Sequence, residues 1–458
     1  MSLLKPLALL VMATTLSACV STDNNKNSNN AYSEQVISPS SWSSQIKESV
    51  LGPEKWLESF NDPLLMQLIA EGKEHNLDLQ IAAASMNKAW LLAEKSGVAL
   101  KPTVDLSLAR TQSGSMTGGG SNASVGVGLQ ASWELDVWGR IQSGIDSAKA
   151  NAESSQADYI FAEHSLSANI AKSYFKVIET KLQANITEQN VSILKKNLRI
   201  TQVKYNNGFS SAQDIALNKA NLASAQDQLI ATITSKRNAI RSLEVLLGRY
   251  PNATLDIADE LPSLPEPPPP GIPSSILERR PDLISAERQV AAAYSATAQA
   301  KAAQLPSFSL TSSVNGSSSA LSDVLNPSNL IWQLAGNILA PIYDGGRRAM
   351  DVEIATTDQT QALANYKSKA LVAFSEVEDN LDKGVSLAKR EVALTQAYQQ
   401  SKKAYRIAEL RYKEGESELL DTLQIQQQAI SAQSNLLSIK RTQLEQRVNL
   451  YLSLGGSW

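Results

Sequence analysis

Arg411-Tyr412-Lys413-Glu414-Gly415-Glu416-Ser417-Glu418-Leu419-Leu420-Asp421 echoes an earlier stretch, Lys204-Tyr205-Asn206-Asn207-Gly208-Phe209-Ser210-Ser211-Ala212-Gln213-Asp214. In both, a basic residue precedes a tyrosine, a glycine follows three residues on, and an aspartate comes six residues after the glycine. Long Ala-, Leu- and Gln-rich segments with helical spacing flank both copies. A helix that must stop and reverse at once needs a residue that takes positive φ without a steric penalty, which glycine does. Gly208 and Gly415 are therefore expected at the tight turns of two helical hairpins. Asp214 and Asp421 then fall in the first turn of each returning helix, where a carboxylate faces the positive end of the helix dipole.

The similarity extends outward from the turns. Leu77-Asp78-Leu79 and Pro281-Asp282-Leu283 each open an Ala-rich helix that ends before a proline, Pro102 or Pro306. Gly139-Arg140 and Gly346-Arg347 correspond as well, at an offset about three residues larger, which a small insertion before Gly346 explains. Self-similarity on this scale marks an internal duplication, so the two halves should share one architecture. The expected layout is a signal segment at 1–18, an N-terminal tether at 19–55, a first repeat at 56–250, a linker at 251–273 and a second repeat at 274–458.

Hydrophobic residues make up 43% of the 458, but aromatics only 5%. That profile suits long helices packed through small side chains rather than one thick core. A net charge of −3 leaves no nucleic-acid footprint. The two histidines, His75 and His164, lie far apart and read as surface residues of helices. No phosphate-binding glycine loop, metal-spaced His/Cys set or assignable nucleophile–base pair is present, so neither an enzyme nor a bound cofactor or metal is expected. The one cysteine, Cys19, follows a basic start at Lys5, an apolar run from Leu7 to Met12 and Leu16-Ser17-Ala18. This is the pattern of a bacterial lipoprotein signal, in which the cysteine becomes the lipidated first residue. Val20 stands where an aspartate would resemble an inner-membrane retention signal, and this favours the outer membrane. The Ser- and Asn-rich residues 20–50 read as a flexible tether.

Four segments alternate with a period of two. Val104, Leu106 and Leu108 alternate with polar residues, and so do Val125, Val127, Leu129, Ala131, Trp133 and Leu135. In the second half Phe308, Leu310 and Val314 alternate with serines and threonines, and Leu330, Trp332, Leu334, Ile338, Ala340 and Ile342 share a face. Residues 113–124 and 315–322 are Gly- or Ser-rich and are expected to be exposed loops. Strands of about 9–11 residues with one apolar face are what a tilted crossing of an outer membrane requires. Trp133, Trp138, Trp332 and Tyr343 are expected at one end of the strands, as an interfacial aromatic girdle.

Each strand pair leads into a very long helix. From about residue 143 to 205 there is no proline and one glycine, and roughly 60 residues at 1.5 Å each give a rod of ~90 Å. The last helix carries two apolar stripes, Leu423-Ile430-Leu437-Leu444-Tyr451 and Ile425-Ala429-Ala432-Leu436-Ile439. Two stripes mean a neighbour on each side, so the helices should stand as staves of a cylinder. Pro267 to Pro270 make the linker between the repeats stiff and extended. Four strands cannot close a barrel, and open edges in lipid cost several kcal/mol per unpaired group. Two chains would supply eight strands and three would supply twelve; spacing alone does not choose between them.

Several motifs in combination resemble the TolC family, in its lipoprotein branch of NodT/OprM-type outer-membrane channels. They are the Cys19 signal, Leu135-Asp136-Val137-Trp138-Gly139-Arg140, Glu278-Arg279-Arg280-Pro281-Asp282-Leu283, Pro341-Ile342-Tyr343-Asp344-Gly345-Gly346-Arg347 and Arg411-Tyr412-x-x-Gly415. The resemblance spans nearly all the mature chain. It implies a mixed α and β membrane protein: a homotrimer with a twelve-stranded outer-membrane barrel, four strands per chain, continuing into a long periplasmic helical barrel. It implies a passive exit duct for small molecules in a tripartite efflux pump, closed at its tip and docked there with a periplasmic adaptor and an inner-membrane transporter of the resistance–nodulation–division (RND) type. It also places the gate at Tyr412, Asp214 and Asp421. Ser417 stands where some relatives have a basic residue, and Gln424 where some have a second aspartate, so a single Asp421 ring is the expectation. A duct for protein secretion is the alternative within the class. A periplasm-spanning coiled-coil adaptor or structural lipoprotein is the alternative outside it, and the alternating strands count against that.

Overall fold

The computed structural model describes residues 39, 41–43, 56–116, 119–268, 271 and 273–455. Cys19, the signal segment and most of the expected tether lie outside the described residues. The elements are α1 (Pro63–His75), α2 (Leu77–Gly97), β1 (Thr103–Ser115), β2 (Gly119–Leu135), α3 (Arg140–Asn206), α4 (Ala212–Leu246), α5 (Ser275–Arg279), α6 (Pro281–Ala302), β3 (Ser307–Ser318), β4 (Leu330–Leu339), α7 (Arg347–Glu414) and α8 (Leu419–Ser453).

The second half repeats the first, helix–strand–strand–long helix–helix. The long helices α3 and α7 have 67 and 68 residues, each ~100 Å at 1.5 Å per residue. Within its own repeat each is accompanied by two shorter helices along its length. On α3 these are α2, with 21 residues, and α4, with 35; on α7 they are α6, with 22, and α8, with 35. The α6 helix packs along α3 as well as along α7. The α8 helix packs against both α7 and α3, as its two stripes require. No helix among the described residues is long and apolar enough to cross a membrane.

Strand turns into helix at the same signature in both halves. The Asp136 carboxylate accepts from the N–H groups of Ile141 (2.9 Å) and Gln142 (2.7 Å). Asp344 accepts from Gly346 (3.1 Å) and Arg348 (3.3 Å). Each aspartate thus satisfies amides that the first helical turn leaves without partners.

The main core sits midway along α3, where the short helices end. Trp56 stacks on Tyr451 with ring centroids 5.0 Å apart, and Phe60 meets Phe175 at 5.4 Å. Ile170, Tyr174, Leu243, Leu247 and Val448 complete this buried cluster, and Leu255 and Ile257 of the linker pack on it. The linker is tied down further by Glu244, whose carboxylate accepts from the N–H groups of Ala253 (2.8 Å) and Thr254 (3.0 Å).

The sheet order is β1-β2-β3-β4, antiparallel throughout, with β1 and β4 at free edges. Paired residues share a face, so the register sorts the side chains. One face carries the rows Val104–Ala131–Ser312–Leu334, Leu106–Leu129–Val314–Trp332, Leu108–Val127–Gly316–Leu330, Trp133–Leu310–Gly336 and Leu135–Phe308–Ile338. The other carries Asp105–Gln130–Ser313–Gln333, Thr103–Ser132–Thr311–Ala335 and Glu134–Ser309–Asn337. The exceptions on this polar face are on β4, Ile331 and Leu339.

Several expectations need correction. Residues 113–124 are not an open loop: β1 and β2 have 13 and 17 residues and stay paired out to Ser115↔Gly119. Gly and Ser send no periodic signal, yet the ladder pairs backbone groups whatever the side chains are. Likewise β3 runs on to Ser318, while β4 ends at Leu339, leaving Ala340 and Ile342 beyond it. Trp332 is not at the same end as the other aromatics. Both β2 and β4 run from the loops toward the helices, so Trp332 near the start of β4 lies at the loop end. Trp133 near the end of β2 lies toward the helices, four residues or ~13 Å along the sheet from the Trp332 row. Finally, Trp42 within the expected tether is docked: it is buried, its Nε1 donates to Gly271 O at 2.9 Å, and its ring meets Phe374 edge-on. His164 is also half-buried rather than on the surface, and burial lowers its pKa to about 4.

Candidate functional site

The two turns lie at the ends of the long helices remote from the sheet. Gly208 and Gly415 both have positive φ, 81° and 85°. Both turns close the outgoing helix by the same long-range bond, Phe209 N–H to Lys204 O and Glu416 N–H to Arg411 O, each 2.8 Å. This is the ending that a left-handed glycine allows.

The three residues expected at the gate are used in three different ways. Asp214 belongs to its own turn. Its carboxylate accepts from the Ser211 N–H, the Ser211 hydroxyl and the Ser210 hydroxyl, all at 2.9 Å, and its N–H donates to Ser211 Oγ at 3.1 Å. This reciprocal capping box, led by the Ser211 amide, holds the Asp214 carboxyl below the usual aspartate range. Its carboxylate makes no hydrogen bond or ion pair with a neighbouring helix among the described residues.

Tyr412, by contrast, reaches across to the other hairpin. Its hydroxyl lies 2.9 Å from Thr201 Oγ1 on α3, and Asn218 Nδ2 on α4 donates to the same oxygen at 2.7 Å. Lys204 Nζ donates to the Tyr412 carbonyl and stands 4.2 Å from the centre of its ring. The Tyr412 ring is buried with Val191, Leu194, Ala225, Leu419 and Leu423, and this burial raises its pKa. Thr201 and Asn218 carry no signal in the sequence. Thr201 and Asn218 look like ordinary helix residues until two hairpins are superposed, although Lys204 is the base of the base–Tyr pair.

Asp421 is exposed in the first turn of α8 and makes no hydrogen bond or ion pair among the described residues. It lines a shallow groove with Arg411, Ser417 and Gln424. Higher up, the seam between the repeats is polar. Gln426 bonds Asn190 at 2.8 Å, Gln183 bonds Ser434 O at 3.1 Å, Arg441 pairs with Glu179 at 2.9 Å and Lys172 meets Asn449 at 3.3 Å. Among the described residues no group of three or more His, Cys, Asp or Glu could hold a metal.

A sheet with one apolar and one polar face, two free edges, and direct continuation into paired ~100 Å helices is one protomer's share of an outer-membrane channel. The family model described as outer membrane efflux protein matches residues 68–249 and 272–456, and the chain belongs to that family. Among curated relatives, the pyoverdine export outer membrane protein OpmQ of Pseudomonas putida is 28% identical over 92% of this chain and 93% of its own length. The cation efflux system protein CusC of Escherichia coli is 28% identical over 88% of each chain. The open-state MtrE outer membrane channel of Neisseria gonorrhoeae superposes with a TM-score of 0.79 at 27% identity, covering 92% of this chain and 98% of that one. The protein is therefore an outer-membrane efflux channel, a transport duct and not an enzyme, whose four strands per chain belong to a trimeric barrel with a helical periplasmic part.

Proposed function

We propose that this channel is the exit duct of a three-part pump: its turns meet a periplasmic adaptor, and through that adaptor an RND-type transporter of the inner membrane. Cargo would be small molecules, as in the names of the relatives, which run from pyoverdine to cations. The observation that carries the reading is the separation of functions along the chain, with the membrane sheet at one end of α3 and α7 and both turns at the other. A photo-crosslinker at Phe209, which is 81% exposed at the first turn, should join the channel to an adaptor in intact cells. Loss of the channel should raise accumulation of a small fluorescent substrate. If export of a secreted protein fails instead, and no adaptor of an RND pump is crosslinked, the secretion duct is the right reading.

The same proposal assigns Cys19 as a lipidated mature N-terminus, residues 19–55 as the anchoring segment, and 56–250 and 274–458 as duplicated halves joined by 251–273. Mass spectrometry of the membrane-extracted protein tests the anchor. An unmodified peptide running through Ala18-Cys19 would remove it, and Cys19→Ser should block processing without preventing barrel insertion. At the tip, Tyr412 is assigned the latch between hairpins, Asp421 the narrowest ring of the trimer, and Asp214 the closure of the first turn. Trp133, Trp138 and Tyr343 are assigned to the periplasmic interface of the membrane and Trp332 to the outer one.

A further inference from the structure

The loop between β3 and β4 lies over the apolar side of the sheet, at its outermost apolar row. Gly316 pairs with Val127 and Leu330 and so shares their face. A Cβ added at Gly316 would overlap the Val324 carbonyl oxygen and stand 3.0 Å from Leu330 Cδ2. Val324 therefore sits on the side toward which the apolar rows point, and it is fully buried there. One residue pair further out on the same face, Arg110 and Ser318 flank Val125, so the apolar rows end at this level.

The loop has a fixed internal structure. Two short 3-10 turns, Leu321–Asp323 and Pro327–Asn329, are joined by the Asn326 N–H donating to Asp323 O at 3.1 Å. Asn329 Nδ2 donates to the same carbonyl at 2.8 Å, and Asn326 Oδ1 caps the second turn through the Ser328 N–H at 3.3 Å. Having buried Val324, this frame leaves its two other large apolar side chains outside: Leu321 is 67% exposed and Leu325 69%. Trp332, one row nearer the middle of the sheet, is 77% exposed on the same face. A single exposed leucine is ordinary, but two on one short loop beside an exposed tryptophan make an apolar patch, and tryptophan marks the depth at which acyl chains give way to headgroups.

We propose that the β3–β4 loop is a membrane foot, with Leu321 and Leu325 seated in the acyl–headgroup boundary of the outer leaflet beside Trp332. The occupant is lipid because the loop continues the face that already meets lipid. Three such feet in the trimer would set the depth and upright stance of the barrel against the load of the periplasmic helices.

A nitroxide on a Leu325→Cys variant tests this in the full trimer, reconstituted in phosphatidylcholine–phosphatidylglycerol vesicles. Dissolved oxygen concentrates in lipid and a nickel chelate stays in water, so their relative collision rates with the label report its surroundings. Wild-type protein put through the same labelling accounts for any signal from Cys19. The oxygen-to-nickel ratio at position 325 should be several-fold above that of a label at Met116, which is fully exposed on the β1–β2 hairpin. Gly316→Ala should lift the loop and abolish the difference. A label open to nickel would place the loop in water. A label shielded from both reagents would place it under the neighbouring protomer. Either result overturns the proposal.

Discussion

At Gly208 and at Gly415 the chain leaves a long helix by the same bond, yet it enters the next helix in two different ways. The first turn closes on itself: Ser211 and Asp214 exchange side-chain and backbone bonds, and Ser210 adds a third. The second turn has no such closure. Glu418, at the start of α8, makes no capping bond, the buried Ser417 hydroxyl has no partner, and Asp421 is free. Charge differs too, with exposed Glu414, Glu416 and Glu418 replacing Asn207, Phe209 and Ser211 at matched places around the glycine. The first turn is thus closed by its own bonds, while the second is tied to the rest of the tip through Tyr412 and its bond to Thr201. A gate needs one fixed and one releasable part, and the second hairpin is the releasable one on this reading.

The largest effect is therefore expected from Tyr412→Ala. Truncating a buried aromatic costs about 3–5 kcal/mol, here concentrated where α7 and α8 meet α3 and α4. Single-channel conductance in planar bilayers should rise several-fold, and cells should admit a bulky antibiotic they normally exclude. Tyr205→Ala, at the matching position of the first turn but 44% exposed, should do neither. Equal conductance of the two variants would break the comparison. Tyr412→Phe sharpens it, since the ring stays and only the bond to Thr201 goes. A loss of about 1 kcal/mol is expected for one net hydrogen bond. Thr201→Val and the double variant complete a cycle: coupling near zero would mean the hydroxyl contact does not hold the hairpins together.

The turns themselves were legible from sequence because a reversing helix is a local event, written in Gly208, Gly415 and the aspartates that follow. The alternating strands were legible for the same reason, wherever apolar and polar residues take turns. What could not be read is set by superposition. Thr201 and Tyr412 lie in separate hairpins, and only the packing of α8 between α7 and α3 brings them within 2.9 Å. The Gly/Ser ends of β1 and β2 carried no pattern, though backbone pairing continued through them. Trp332 does not share an end with Trp133 because strand direction, rather than composition, fixes which interface a residue reaches.

Smaller effects are expected in the first turn. Ser211→Ala removes half of the capping box and should cost about 1 kcal/mol, within the range of N-cap substitutions. Hydrogen exchange at Ala212 to Ile215 should quicken while Leu419 to Thr422 stay as before. Acid should act the same way. Because the fold lowers the Asp214 pKa, its contribution is complete at neutral pH and fades as pH falls below the ordinary aspartate range and through the lowered value. A spin label at Gln213 should gain mobility only in that acid window. Mobility that is already high at neutral pH would show that the box does not hold the turn.

Asp421→Ala should be the mildest change in stability and the most specific in function. The carboxylate has no bond to lose, so only its interaction with the α8 dipole is at stake, about 0.3–1 kcal/mol at an exposed helix start. In the proposed trimer, however, three copies surround the axis. Carboxylates gathered around one axis attract cations, so the ring should favour cation passage and bind divalent ions. Thermal melting of the trimer should then be nearly unchanged, while the reversal potential in a potassium chloride gradient moves toward that of an unselective pore and divalent block weakens. Asp421→Asn should do the same while preserving the side chain's shape, which separates charge from size. If both variants keep the wild-type reversal potential and divalent block, Asp421 is a helix-start residue only. The narrowest ring must then be sought among other groups of the second turn, beginning with Arg411 and Gln424, which share its groove.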